Sequence, residues 1–356
     1  MEISMKKSLT VICLFVLGLM LSACNLIRTN NDSDISDTSG QEETTIKREI
    51  QYIPKDCTYI VALTEEKLTE GDAFPDAPKK GDEYITADYR YTYIKDIYYL
   101  DELIGETEKW HVEVLDCNKS EYEPIMENIC YEPVTSLYET FYGCRKLLVA
   151  PKIPNGVTDM DHTFSYCDLL EIAPEIPESV ECLDGTFSNC DQLKEVPELK
   201  YGVLTMNGTF INCRSLKNIP NIPSSVTNMD FTFWGCDNLE VAPKIPESVT
   251  SMNSTFRECV NLEIAPAIPE NVTNLSETFS RCEKLKTAPE TIPQNVDSLV
   301  GTFYRCTSLT GEIEINTNTN SYWSCFLYVD FEKQNLVLSG TSDYLEEIKA
   351  TAEKTD

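Results

Sequence analysis

Hydrophobic and small residues recur at a fixed spacing through the middle of this chain. The unit Thr-Phe-x-x-Cys carries the period, with 23 residues between successive cysteines six times and 24 once. Laid over one another, the copies read Val-Thr-x-Met-x-x-Thr-Phe-x-x-Cys-x-x-Leu-x-x-Ala-Pro-x-Ile-Pro. A constant period of this length is typical of a solenoid, in which each repeat forms one coil of a stack. The eight copies predict eight coils within residues 134–311.

The apolar positions of each coil predict columns of stacked side chains. A single coil is too small to close a core, so its apolar residues must pack on the equivalent residues of its neighbours. The aromatic column consists of Phe141, Phe164, Phe187, Phe210, Phe233, Phe256, Phe279 and Phe303. A second column consists of Leu147, Leu170, Leu193, Leu216, Leu239, Leu262, Leu285 and Leu309. A third consists of Met160, Met206, Met229 and Met252, with Leu in the other copies.

Local spacing predicts the elements of each coil. Met and Phe lie four residues apart, the separation of neighbours on one helical face, which predicts a helical or 3₁₀ turn over Met-x-x-Thr-Phe. A short parallel strand is expected from the Leu slot to the Ala slot. Each Pro lacks the N–H that a strand ladder needs, so we expect only about three or four ladder residues per coil.

The repeat resembles the BspA-type leucine-rich repeat of bacterial surface proteins, which has the same Ile-Pro-x-x-Val and Phe-x-x-Cys-x-x-Leu frame. The resemblance covers residues 134–309, with two departures: Leu199-Lys200 replaces Ile-Pro, and one residue is inserted around Thr291. It implies an α/β solenoid of leucine-rich-repeat coils, displayed on the cell surface and used in adhesion.

The flanking segments are similar to the caps of such proteins. Residues 50–133 are predicted to form a β-rich N-terminal cap, with strands over 57–64, 82–94 and 110–116, which are rich in β-branched and aromatic residues. Residues 312–356 are predicted to form a β-plus-helix C-terminal cap. There, Tyr322 is expected to take the Phe slot of a degenerate last unit, and Asp343 and Glu346 to form a capping box on a final helix.

The N-terminus has the pattern of a lipoprotein signal peptide. Lys6 and Lys7 precede an apolar run that ends in Leu-Ser-Ala-Cys24. This site resembles a lipobox, which implies cleavage after residue 23, acylation of Cys24 and a lipid anchor on the extracellular face of a bacterial envelope. Residues 24–49 are polar and acidic, with too little apolar surface to fold, and are predicted to be a disordered tether.

Net charge narrows the possible partners. The full chain has a formal charge of −30, and removing the leader with Glu2, Lys6 and Lys7 leaves −31. A surface with this negative charge repels the phosphate backbone of nucleic acid and the headgroups of anionic lipids. Membrane contact is therefore expected through the lipid anchor only. High charge also favours a soluble monomer.

The cysteines recur once in each repeat and do not have the spacing of a metal-binding motif. No Cys-x-x-Cys pair occurs, so the spacing typical of zinc ligands is absent. We expect buried, free thiols that pack as small hydrophobic groups with a weak S–H donor. This ladder consists of Cys144, Cys167, Cys190, Cys213, Cys236, Cys259, Cys282 and Cys306. The sequence leaves open whether two of the three residues Cys57, Cys117 and Cys130 form a disulfide.

Candidate catalytic groups are few. A dyad of His162 and Cys167 would need an exposed, activated thiol, whereas the repeat predicts a buried one. Asp159 and Asp161 could hold calcium, but no loop with several oxygen ligands accompanies them. We therefore predict no catalytic residue, cofactor or metal site, and a protein that is not an enzyme.

Binding is expected at positions that vary among the copies while the frame stays fixed. The slot directly after the repeated Phe is Ser in three copies but aromatic or Arg in others, and such side chains are enriched in interface hot spots. They either contact a partner or pack along the stack. The candidate contacts are Tyr142, Tyr166, Phe231, Trp234, Arg257 and Tyr304.

Two functional hypotheses follow. The first is a non-catalytic adhesion module that recognises an extracellular protein or glycan. The second is a structural coat protein that self-associates at the cell surface.

We expect Cys24 to carry the anchor. Cys24→Ala should move the protein from the detergent phase to the aqueous phase in detergent phase partitioning, because the acyl chains are attached through that sulfur. A mature N-terminus at any residue other than Cys24, read by mass spectrometry, would contradict this prediction.

Overall fold

The computed structural model describes residues 83–100, 103–129 and 132–353. The predicted signal peptide, Cys24, the tether, the strand at 57–64, Cys57 and Cys130 lie outside the described residues.

Backbone hydrogen bonds join each coil to the next. In the second coil, alternate N–H groups from 160 to 166 donate to carbonyl oxygens 22 residues later, at 2.8–3.1 Å. The same four bonds join the eighth coil to residues 321–327, at 2.7–2.9 Å. Because these alternate N–H groups find their acceptors in the neighbouring coil, the repeats form one continuous stack.

The segment from Met to Phe forms hydrogen-bonded turns in each coil. Residues 134–310 are all described and contain neither an α-helix nor a 3₁₀-helix, so the prediction of a helical or 3₁₀ turn there is wrong. Two positions in each coil, two residues before and two after the Phe, adopt a left-handed backbone. In the second coil they are His162 (φ 51°) and Tyr166 (φ 61°). A right-handed helix cannot pass through such residues. Glycine and asparagine at equivalent positions, as at Gly185 and Asn189, were the sequence signal for this conformation.

Strand pairing within the coils is limited to single residues. One column of parallel bridges runs from Ser136 to Ser298, and another joins Val241, Ile264, Thr287 and Thr310. The expected three or four ladder residues per coil are therefore too many, because the Pro two residues later has no N–H to continue the ladder. A wider parallel sheet forms only at the C-terminal end, from β6 (Thr291–Ile292), β7 (Gly311–Ile315) and β8 (Leu336–Ser339), in that order.

The aromatic column is continuous. Neighbouring Phe rings stack with centroids 5.0–5.8 Å apart and interplanar angles of 3–16°. The last ring is Phe326, which stacks on Phe303. The assignment of Tyr322 to this slot is wrong: it lies four residues earlier, in the Met/Leu slot, and its ring contacts Tyr344.

Two polar ladders run beside the rings. Each repeat Thr, buried next to the Phe, donates from Oγ1 to the Met or Leu carbonyl of the preceding coil at 2.7–2.9 Å. Ladder thiols from Cys167 to Cys306 donate to the Phe carbonyl of the preceding coil at 3.0–3.3 Å. All eight ladder cysteines are fully buried, and burial raises the pKa of Cys213 well above that of a free thiol.

An antiparallel sheet precedes the coils. It contains β1 (Glu83–Ile85), β2 (Tyr89–Leu100) and β3 (Leu103–Val114), in that order, and a small pair, β4 (Asn128–Ile129) and β5 (Glu132–Pro133), follows. The strand predicted over 82–94 is divided by a turn at 86–88, and the one predicted over 110–116 is the end of β3, which begins earlier and ends at Val114.

This sheet contacts the first coil in the way that coils contact one another. Thr140 Oγ1 donates to the Val112 carbonyl at 2.8 Å, as the other repeat threonines do to a preceding coil. The Tyr89 ring meets Phe141 edge-on at 6.0 Å.

Two short helices follow the last coil: α1 (Phe331–Gln334) and α2 (Leu345–Lys349), the latter continued by a 3₁₀ turn at Ala350–Glu353. The predicted capping box is wrong, because Tyr344 is the N-cap of α2 and makes no side-chain cap. Asp343 instead donates its N–H to Asn318 Oδ1 at 2.8 Å. The capped helix is α1, where Asp330 Oδ1 accepts from the Lys333 N–H at 3.0 Å.

The threonine ladder should contribute measurably to stability. Thr209→Val preserves shape but removes the 2.8 Å bond from Oγ1 to the Leu183 carbonyl, so we expect a loss of about 1–2 kcal/mol in unfolding free energy. Thr227→Val is the matched control, because Thr227 is exposed and its bond to the Leu204 carbonyl is long, at 3.3 Å; it should cost less than about 0.5 kcal/mol. Urea denaturation measures both, and equal losses would contradict a specific role for the buried ladder.

Candidate binding surface

The slot directly after each stacked Phe lies at the surface of the stack, and we call these eight positions the variable edge. Serine in this slot is nearly covered, with Ser165, Ser188 and Ser280 between 1% and 6% exposed. A larger side chain extends beyond the rim, and Tyr142 is 46% exposed. The fold therefore needs no large side chain at this slot. Its members are Tyr142, Ser165, Ser188, Ile211, Trp234, Arg257, Ser280 and Tyr304.

An aromatic cluster occupies the middle of the variable edge. Trp234 is half-buried, and its ring lies 6.0 Å from that of Phe231. The Arg257 guanidinium lies over the same indole, 5.0 Å from the ring centroid. The indole Nε1 donates to Glu258 Oε2 at 3.3 Å. The Trp234 side chain is thus held in one orientation by residues of two adjacent coils.

Ion pairs connect this cluster to residues of the following coil. Arg257 pairs with Glu258 at 3.7 Å and with Glu277, and Arg281 pairs with Glu258 at 3.7 Å. Exposed ion pairs of this kind contribute little stability individually, but a network restricts the side chains that it joins. Arg257 and Trp234 are therefore preorganised, which lowers the entropy lost when a partner binds.

The other candidate contacts form two further groups. The Tyr142 and Tyr166 rings meet edge-on at 5.4 Å. Near the C-terminal end, the Arg305 guanidinium lies between Tyr304 and Tyr328, at 5.6 and 4.8 Å from their ring centroids. Sequence reasoning missed Glu258, Glu277, Arg281, Arg305 and Tyr328. All five occupy the left-handed positions, which the hydrophobic pattern did not reveal.

A second surface was also missed. Val149, Ile172, Val241 and Ile264 occupy one repeat slot, in which the last three form parallel bridges, and they are 51–62% exposed, a high value for aliphatic side chains. In the same column, a groove of about 400 Å³ is lined by residues 217–219, 238 and 240–243 of the fourth and fifth coils. Ile219 stands there in the slot that is Ala in most copies. We call this surface the bridge column.

The two acids considered as a calcium site form a polar column with their neighbours. Asp159 accepts from the Ser136 hydroxyl at 2.8 Å, and Asp161 lies 3.6 Å from Nε2 of His162. Burial, then the charges of Asp159, Asp184 and Glu139, raise the pKa of Asp161 to about 7, against a smaller opposing effect of Lys109. Among the described residues, no group of three or more His, Cys, Asp and Glu has an arrangement that could hold a metal ion.

The thiol of the His162–Cys167 pair considered above is not an exposed, activated nucleophile. Cys167 is buried and donates to the Phe141 carbonyl at 3.3 Å, and burial raises its pKa well above the usual value. The His162 ring instead lies 3.6 Å from Oδ1 of Asp161. In the part of the chain described, no helix has the length and hydrophobicity needed to cross a bilayer.

Asp161 should make stability depend on pH. The pKa of Asp161 is higher in the folded state than in the unfolded state. The contribution of this proton to the free energy of unfolding is therefore fully present below the unfolded pKa near 4, and it is lost as pH rises through about 7. Asp161→Asn, which copies Asn207 and Asn253 of other coils, should stabilise the fold by about 1–3 kcal/mol at pH 8 and change it little at pH 5. Urea denaturation at the two pH values tests this. The control is Asp191→Asn, because Asp191 forms a solvent-accessible ion pair with Arg214. In this variant the difference in unfolding free energy between pH 5 and pH 8 should equal that of the wild type.

Comparison with known proteins supports the repeat assignment. The model of the BspA type leucine rich repeat region matches residues 132–240 and 230–342 in six copies, together more than half of the chain. A crystal structure of a leucine-rich repeat protein from Bacteroides ovatus ATCC 8483 is similar, with 21% identity and a TM-score of 0.46 over 72% of this chain and 76% of that one. No curated protein sequence matches. The family match confirms the resemblance seen in the repeat, and the chain belongs to the BspA-type leucine-rich-repeat family.

Proposed function

We propose that this chain is a non-catalytic adhesion module, a monomeric lipoprotein on the outer face of the bacterial envelope that binds an extracellular protein or glycan through its variable edge. Membrane attachment in this proposal comes from acylated Cys24 alone. Leucine-rich repeats of this family are generally protein-interaction modules, and this favours a protein over a glycan as the partner.

The observation that carries the proposal is the cluster around Trp234. Serine fills this slot in three coils, so packing does not require an indole there. The indole is nevertheless fixed by Phe231, Arg257 and Glu258, with its Nε1 satisfied and part of its surface open to solvent. Rigid Trp and Arg side chains of this kind dominate the binding energy of many interfaces.

A second function has a separate observation in its favour. The exposed aliphatic residues of the bridge column, such as Val241 and Ile264, repeat at the spacing of the coils. A row of this kind on a rigid stack suits lateral association with further copies, which is the coat function. Sedimentation velocity of the mature protein over a wide concentration range distinguishes the two, since an adhesion module stays monomeric and a coat protein assembles.

Trp234→Ala should weaken binding far more than it weakens the fold. The ligand is first selected by screening the mature protein against matrix proteins and glycans. We expect an affinity loss of about 2 kcal/mol, roughly 30-fold, and a loss of unfolding free energy below about 1 kcal/mol, because the ring is only half-buried.

Val241→Ser is the matched control on the bridge column, where the side chain is 62% exposed. It should leave the affinity unchanged. Titration calorimetry and thermal unfolding of both variants give the comparison. Loss of binding in Val241→Ser with intact binding in Trp234→Ala would assign recognition to the bridge column and reject the variable edge.

A further inference from the structure

The column of buried thiols has an unusual first member. Ladder thiols from Cys167 onward donate to the Phe carbonyl of the coil before them. Cys144 belongs to the first coil, so no earlier coil supplies this acceptor. Its sulfur instead faces the segment that follows β3. The hydroxyl of Tyr122 lies 3.5 Å from Sγ of Cys144 and donates to the Asp116 carbonyl at 2.8 Å.

The residue after Asp116 is a second cysteine. Cys117 is exposed and lies in a turn that Asp116 holds by accepting the Asn118 N–H at 2.9 Å. The Tyr122 hydroxyl contacts both Sγ of Cys144 and the carbonyl of Asp116, and it thereby places the Cys117 side chain beside that of Cys144. The structure therefore brings together one solvent-accessible thiol and one buried thiol that are 27 positions apart in the sequence.

The two thiols differ in reactivity. The contact with Cys144 lowers the pKa of Cys117, which favours its thiolate. The same contact, followed by burial, raises the pKa of Cys144. An exposed thiolate beside a protonated thiol is the arrangement of an attacking cysteine with its resolving partner.

We propose that Cys117 and Cys144 form a redox-active dithiol, which low-molecular-weight disulfides convert to a disulfide that ties the N-terminal β-module to the first coil. The Cys117 thiolate attacks one sulfur of the small disulfide, RSSR, and releases one thiolate, RS⁻. Cys144 then attacks Sγ of Cys117, its proton passes to a released thiolate, and the second RS⁻ leaves. The protein dithiol is oxidised, and RSSR is reduced to two RSH.

The position of the pair gives the bond a structural effect. The disulfide would close a loop between the end of β3 and the first coil, where the stack meets the preceding sheet. Closing such a loop restricts the unfolded chain and stabilises the fold. The remaining ladder thiols differ from Cys144, because each donates to the Phe carbonyl of the preceding coil instead of facing the segment that contains Cys117.

The test uses oxidised glutathione on the reduced mature protein, followed by peptide mapping under non-reducing conditions. We expect one internal disulfide, Cys117–Cys144, with no retained glutathione, and a melting temperature about 5 °C above that of the reduced protein. Dithiothreitol should reverse both changes. A stable glutathione adduct on wild-type Cys117, or a bond from Cys117 to another residue such as Cys57 or Cys130, would overturn the proposal.

Two single variants separate the roles of the cysteines. Cys144→Ser should stop the reaction at a glutathione adduct on Cys117, because the resolving thiol is missing. Cys117→Ser should leave Cys144 unmodified, because a buried thiol is not reached by the oxidant. Circular dichroism establishes that each variant is folded. Adduct formation at Cys144 in folded Cys117→Ser would contradict the assigned order of attack.

Discussion

No coil of this protein can satisfy its own inner polar groups or cover its own Phe ring, and the rest of the structure follows from that constraint. Alternate backbone N–H groups from the Met slot onward find acceptors in the next coil, whereas the Thr hydroxyl and the Cys thiol find theirs in the preceding one. Each coil is therefore bonded in both directions, and its stability depends on its neighbours. The three residue types that make these contacts, Thr, Phe and Cys, are for this reason identical in all eight copies of the repeat.

The ends of the stack meet the same requirement with different residues. At the start, the Val112 carbonyl takes the place of a preceding coil for Thr140, and Tyr89 packs on the first Phe. At the C-terminal end, buried Gln334 donates from Nε2 to the carbonyls of Cys306 and Leu309 in the eighth coil, at 3.2 and 3.0 Å. Phe331 then covers the last stacked ring, Phe326, at 5.2 Å. Both ends thus supply the hydrogen bonds and aromatic cover of a missing coil.

The parts that the sequence predicted are those that repeat. The stacked rings and the buried ladder cysteines could be located because each occupies an identical slot in every copy. The left-handed residues could not be found from the hydrophobic pattern, since hydrophobicity does not encode backbone handedness, although Gly185 and Asn189 carried the signal. Tyr322 was misassigned because the last unit lacks the Thr-Phe-x-x-Cys frame, and only the ring stack identifies Phe326 as its Phe. The aromatic residues of the variable edge were found by their departure from the repeat, but their ion pairs depend on three-dimensional neighbours such as Glu258.

In the proposed function, stability and recognition belong to different positions of one repeat: contacts between coils build the frame, and the variable edge binds the partner. The most direct test replaces the large residues of the edge together, as Tyr142→Ser, Ile211→Ser, Trp234→Ser, Arg257→Ser and Tyr304→Ser, copying the serine found at Ser165, Ser188 and Ser280. Differential scanning calorimetry should show one cooperative transition, with a melting temperature less than about 10 °C below that of the wild type. Loss of the cooperative transition would show that the edge is part of the frame and would contradict this account.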